Sequence, residues 1–159
     1  MINKLLPEQI SNLWEIIKYA VEQSLPPIVT ENEDNMNNIL SSALSGKIDV
    51  WVSYEKTDKG NKLEGVMLTN FLFDEVSKRR NLLIYCLYGY NNVGFKSWIE
   101  GLQTLTKYAK SRDCGQIIAY TDVPYMIDLT RKLGGEAKYT FCSFNVKQIG
   151  QKLNELNGE

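Results

Sequence analysis

The chain has no histidine among its 159 residues. That absence removes every mechanism built on a Ser-His or Cys-His pair and every metal site that needs an imidazole. Any general base must be a carboxylate, a tyrosine, a lysine or a water held by backbone carbonyls. Cysteine is scarce too: Cys86, Cys114 and Cys142 are odd in number, widely spaced and form no Cys-x-x-Cys. This usage points to a reducing compartment and argues against a zinc site, so no metal is expected. There is no N-terminal signal pattern and no apolar run of transmembrane length. An excess of one charge is also missing, since 18 basic residues nearly cancel 19 acidic ones. No global field recruits nucleic acid or an anionic membrane. The Lys78-Arg79-Arg80 cluster is too small a patch, without an aromatic platform of interleaved basic residues. A soluble intracellular protein is expected, with neither nucleic acid nor membrane as partner.

What is present is one domain's worth of alternating helical and strand patterns, spanning residues 1–159. Pro7 opens a first helix, with Ile10, Leu13, Ile17, Ala20 and Val21 at helical spacing, and Pro26-Pro27 stops it. A second helix is predicted from near Glu33 to Leu44, and the polar loop between the two can line a cleft. Ile48, Val50, Val52 and Tyr54 alternate with polar neighbours and Trp51 as a half-buried strand. A long apolar strand over 63–73 and another over 82–88 follow across short turns, which makes an antiparallel meander.

The stretch from Leu82 to Cys114 organises the rest. Its apolar run ends in Gly89-Tyr90-Asn91-Asn92-Val93-Gly94, and the pattern then becomes helical, with Trp98, Leu102, Leu105 and Ala109 on one stripe. A strand that turns into a helix N-terminus presents free N–H groups and the positive end of the helix dipole, which suits an anion. A crossover of this length makes the next strand, 116–121, parallel to the 82–88 strand. Pro124 starts a short helix, residues 137–142 alternate as a last strand, and a small amphipathic helix over 147–156 closes the chain. The fold class is therefore α+β.

This order of elements resembles the GNAT superfamily of acyl-CoA-dependent N-acyltransferases. In that family the strand before the long helix splays from its parallel neighbour, and acetyl-CoA inserts into the gap. A loop of the form Gln/Arg-x-x-Gly-x-Gly/Ala wraps the pyrophosphate. The matching residues are Asn91-Asn92-Val93-Gly94-Phe95-Lys96. Gly94 fits the first glycine, Asn91 replaces the long donor, and Lys96 replaces the second small residue. The Lys96 ammonium either pairs with phosphate or occludes the loop. The resemblance implies Leu87 and Tyr88 at the thioester carbonyl, and Asn91, Val93, Gly94, Phe95, Lys96 and Ser97 around the pyrophosphate.

Family members also carry Asn-x-x-Ala-x-x-Leu-Tyr-x-x-x-Gly-Phe on the later helix, where the tyrosine protonates the departing thiolate. Here Leu129 and Leu133-Gly134 match, Thr130 stands at the tyrosine position, and Gly135 replaces Phe. Tyr125 or Tyr120 is then an alternative acid. Glu64, Asp74 and Asp122 are candidates for the base; Asp122, at the carboxyl end of the parallel strand, is the best placed of them, and an Asp there is also an ordinary cap for the helix beginning near Pro124.

The resemblance implies acetyl-CoA as co-substrate, no metal, and an amine on a small molecule or a protein as acceptor. The degraded motifs are similar to those of small GNAT-like bacteriophage proteins, some associated with virions. That likeness implies the alternative of an inactive binding or assembly module with a protein partner. The host cytoplasm or the virion is the expected location. An exposed strand edge of this fold often pairs with a second copy, so a homodimer is a further expectation.

Overall fold

Two hydrophobic layers separated by a sheet account for the first 120 residues. The computed structural model describes residues 1–158. The five-stranded sheet has the order β1 (Ile2–Lys4), β2 (Asp49–Thr57), β3 (Gly60–Asp74), β4 (Arg79–Gly89), β5 (Cys114–Ala119). Strands β1 to β4 pair antiparallel and β4–β5 pair parallel. Short turns between β2, β3 and β4 permit only antiparallel neighbours, and the long crossover into β5 gives the parallel one. On one face lie α1 (Pro7–Asn12), α2 (Trp14–Ser24) and α3 (Asn35–Leu44); α4 (Phe95–Ser111) lies on the other.

The first face buries Ile10, Ile17, Val21, Ile39, Val50, Val66, Leu68 and Cys86 together. The second buries Trp51, Met67, Leu82, Leu105 and Ala109. Strand β2 is therefore buried on both faces at its centre, where the sequence pattern predicts a half-buried strand. Trp51 accounts for the difference: helix α4 covers it, and its indole N–H donates to Thr69 Oγ1 at 3.0 Å. The predicted first helix is two, α1 and α2, divided at Leu13 (φ −103°), so three helices precede the meander. No proline or glycine marks that break.

At its C-terminal end α4 is tied to the sheet through Tyr108. The hydroxyl of Tyr108 donates to Asp49, which Lys4 Nζ also reaches at 3.3 Å. The ring packs edge-on against Trp51, with centroids 5.1 Å apart. Burial, first, and the hydrogen bond to the Asp49 carboxylate push the Tyr108 phenol up to about 12. A raised phenol favours the folded state while it is protonated. The contribution is complete below the ordinary tyrosine range, about pH 10, and is lost as pH rises towards about 12. Tyr108→Phe is expected to cost about 1–2 kcal/mol, the loss of a hydrogen bond to a charged acceptor. Urea unfolding at pH 7 measures the cost, and repeating it near pH 11 should show a smaller difference.

The segment from Thr121 onward forms a second compact unit. It contains α5 (Pro124–Lys132) and α6 (Val146–Asn157). Residues 136–145 form no strand. The last strand predicted over 137–142 is therefore absent: alternation marks a segment able to pair, but a strand exists only where a ladder partner takes its N–H and C=O groups. Among the described residues no helix is long and apolar enough to cross a membrane.

Candidate functional site

Strand β4 opens on one side partway along its length. Its pairing with β5 ends at Ile84↔Ala119, while its pairing with β3 continues to Gly65↔Gly89. The opening coincides with a β-bulge. Leu68 pairs Cys86 and Thr69 pairs Ile84, so Tyr85 is the extra residue. A bulge bends its strand and increases the local twist, which carries the far half of β4 away from a partner in register. The bulge also breaks the alternation: Tyr85 and Cys86 both face the α1–α3 side, whereas Ile84 and Leu87 face α4.

Past the bulge, the Tyr90 N–H donates to the Glu64 carbonyl at 2.8 Å. In an antiparallel ladder such pairs recur every second residue. The Tyr88 amide thus points to β3 like that of Tyr90, and the Leu87 amide and carbonyl point to the open edge. Of the two residues expected at a thioester carbonyl, Leu87 carries the free backbone donor.

The loop from Tyr90 enters α4 at Gly94, its N-cap (φ −67°, ψ 154°), without a side-chain capping bond. Trp98 is the first residue to donate back, to the Gly94 carbonyl at 3.2 Å. The amides of Phe95, Lys96 and Ser97 have no intrahelical acceptor and can meet an anion. A Cβ placed on Gly94 would meet nothing within 4 Å. Lys96 does not close the loop: its side chain is 90% exposed and reaches Glu100 at 3.9 Å. Asn91, Asn92, Gly94, Phe95 and Lys96 are exposed; Val93 is half-buried.

Glu64 holds both ends of this loop. Its carbonyl accepts from Tyr90, and its carboxylate accepts from Ser53 Oγ at 2.8 Å and from Ser97 Oγ at 3.0 Å. The sequence analysis places Glu64 among the candidate bases; the structure gives it a clamping position instead. Its partners are partly legible by counting back from the β2–β3 turn, where Thr57↔Gly60 would put Ser53 opposite Glu64; a register shift makes it Gly65. Nothing in the sequence brings Ser97 to it. Glu64→Ala is expected to cost about 1–2 kcal/mol and Glu64→Gln less than about half that, because the amide retains partners for both hydroxyls. Thermal unfolding of the pair tests this.

On the helix side of β4, Tyr88 and Tyr90 pack edge-on with centroids 5.0 Å apart, and Tyr19 of α2 joins them at 5.7 and 6.3 Å. The Tyr90 hydroxyl donates to the Ile16 carbonyl at 2.9 Å. Hydrogen bonding with Tyr19 raises the Tyr88 phenol, and burial raises that of Tyr90.

Three of the catalytic candidates, Asp122, Tyr125 and Thr130, lie in the second unit. Asp122 is exposed and does not cap α5; Val123 is the N-cap, and its N–H donates to Thr121 Oγ1 at 3.2 Å. Tyr125, in the first turn of α5, is half exposed. The hydroxyl of Thr130 donates to the Met126 carbonyl at 2.8 Å, one turn back in its own helix. Asp74 is in the β3–β4 turn, where the Ser77 hydroxyl and the Val76 and Ser77 amides hold its carboxyl below its ordinary range.

Known structures share this fold. A predicted acetyltransferase from Clostridium acetobutylicum, solved with acetyl-CoA, superposes with a TM-score of 0.66 at 17% identity, over 93% of this chain and 98% of that one. A ribosomal-protein-alanine N-acetyltransferase from Brucella melitensis gives 0.62 at 14% identity, over 91% and 99%. The chain has a GNAT-like fold. Glucosamine-6-phosphate N-acetyltransferase from Arabidopsis thaliana shares that fold, with a TM-score of 0.63 at 13% identity over 92% and 97%. No protein-family model matches the sequence, and no curated protein does. At such identities the GNAT likeness is one of fold.

Proposed function

We propose that the chain is an N-acetyltransferase that uses acetyl-CoA and acetylates an amine by direct attack on the thioester. The observation that carries this reading is the open edge of β4 beyond Ile84, continuous with the uncapped N-terminus of α4. Acetyl-CoA would supply the acetyl group in activated form. The Leu87 N–H is the donor for the negative charge that develops on the carbonyl oxygen during attack. The amides of Phe95, Lys96 and Ser97 and the positive end of α4 receive phosphate. Gly94 leaves the approach open, and the outward Lys96 is available as a counter-charge. Asp122 as base and Tyr125 as acid are carried over from the GNAT resemblance. Thr130, at the family's tyrosine position, is carried over with them; its hydroxyl donates to the Met126 carbonyl.

Calorimetric titration with acetyl-CoA tests the reading. Micromolar binding is expected. Absence of heat from folded protein contradicts it and favours a second reading, a phage-type binding module without catalysis. One observation favours that alternative: the second unit leaves the aromatic side chains of Tyr139 and Phe144 86% and 74% exposed.

A further inference from the structure

We infer that the sheet face beyond the C-terminal end of α4 binds a single strand of nucleic acid, stacking a base on Phe73 and holding phosphates with arginines. This surface lies at the opposite end of β4 from the open edge, so it stands independently of the acetyltransferase reading. Phe71 and Phe73 alternate along β3 onto the α4 side of the sheet, and Arg80 of β4 is in register with Phe73. Phe73 is 56% exposed. The Arg80 guanidinium is 5.1 Å from the Phe71 ring centroid and donates to the Arg112 carbonyl at 2.7 Å. Arg112 and Lys4 stand 5.4 and 5.3 Å from the centroid of Tyr108, whose ring is 5.9 Å from that of Phe71. The Lys78-Arg79-Arg80 cluster has no aromatic platform in the sequence; the fold supplies one from β3 and α4.

Charge and shape together select the partner. Asp113 pairs with Arg79, Glu75 with Lys78, and Asp49 with Lys4. Among the described residues Arg80, Arg112 and Lys110, in the last turn of α4, form no ion pair. Three cations without a carboxylate therefore remain around an exposed ring, in a chain whose net charge is −1. A guanidinium packed over a ring keeps edge N–H groups for phosphate, and Arg80 spends only part of its five on Arg112. An acidic peptide would satisfy the cations but has no flat ring to lay on Phe73, and a duplex keeps its bases inside. Every unpaired base offers a π face. Stacking and phosphate contacts read neither sugar nor sequence, so RNA and DNA strands are equivalent here.

Fluorescence anisotropy of a labelled oligothymidylate of about twelve nucleotides, titrated with the full chain at several salt concentrations, tests the surface. Binding is expected, with log affinity falling against log salt at a slope of roughly −2, the value for three neutralised phosphates on a single strand. Phe73→Ala should weaken binding at least about fivefold and leave that slope unchanged. The double variant Arg80→Gln, Arg112→Gln should bring the slope to roughly −0.7. All three side chains are exposed, so the variants are expected to fold. If the double variant does not, Arg112→Gln alone should reduce the slope by about 0.7. Absence of binding overturns the inference. Binding that folded Phe73→Ala leaves unchanged overturns it as well, since it reports diffuse attraction. Polyglutamate that competes as well as unlabelled oligothymidylate also overturns it, and points to an acidic protein as the partner.

Discussion

Gly94→Glu is expected to reduce affinity for acetyl-CoA by at least about a hundredfold while leaving the melting temperature within about 2 °C of the parent. The backbone at Gly94 has an ordinary extended conformation, and an added Cβ meets open space, so the fold has no reason to object. A surface change without buried consequences stays within about 0.5 kcal/mol. The ligand is in a different position. Two like charges about 5 Å apart at a protein surface repel by roughly 3 kcal/mol, and a pyrophosphate at the first turn of α4 would face the new carboxylate at about that range. Calorimetry on both proteins, with melting curves alongside, reads both halves. Unchanged affinity would place the cofactor elsewhere.

Leu68→Ala is expected to be the most damaging of the single substitutions discussed for stability, at about 3–4 kcal/mol, or a fall in melting temperature of roughly 10 °C. Leu68 is fully buried in the central strand, between Val50 of β2 and Cys86 of β4 in register. It belongs to the core that also includes Ile17 and Val21 of α2 and Ile39 of α3. Neighbours held in three strands and two helices cannot all move to fill the void, so the cavity term persists. Leu156→Ala, in the exposed part of α6, is the matched control and should fall within about 0.5 kcal/mol of the parent. Differential scanning calorimetry distinguishes the two.

The parts of the architecture that the sequence makes legible are those in which one segment carries its own signal. Strands β3 and β4 read as apolar runs, α4 as a stripe from Trp98 to Ala109, and the turns as Gly, Asn and Asp clusters. The loop into α4 is legible for the same reason, and Gly94 falls at the helix boundary as read. What depends on register is hidden. Tyr85 and Cys86 look like successive residues of an ordinary strand, and only the β3–β4 pairing reveals that both face one side. The clamp made by Glu64 joins Ser53 and Ser97 across three elements, a relation with no local pattern. The three residues of β1 are too few for a periodicity, and exist as a strand because β2 offers an edge. Residues 137–142 show the reverse case, a strand pattern that finds no partner.

Those register effects converge on one claim, that the half of β4 beyond the bulge is where acetyl-CoA lodges. Amide hydrogen exchange at residues 87 and 88, with and without saturating acetyl-CoA, tests it directly. In the free protein the Leu87 amide, directed at the open edge, should exchange freely, while that of Tyr88, directed at β3, should be protected. Acetyl-CoA should protect Leu87 and leave Tyr88 as it was. A Leu87 amide already protected in the free protein, or one unaffected by bound acetyl-CoA, would contradict the assignment of this edge as the cofactor cleft.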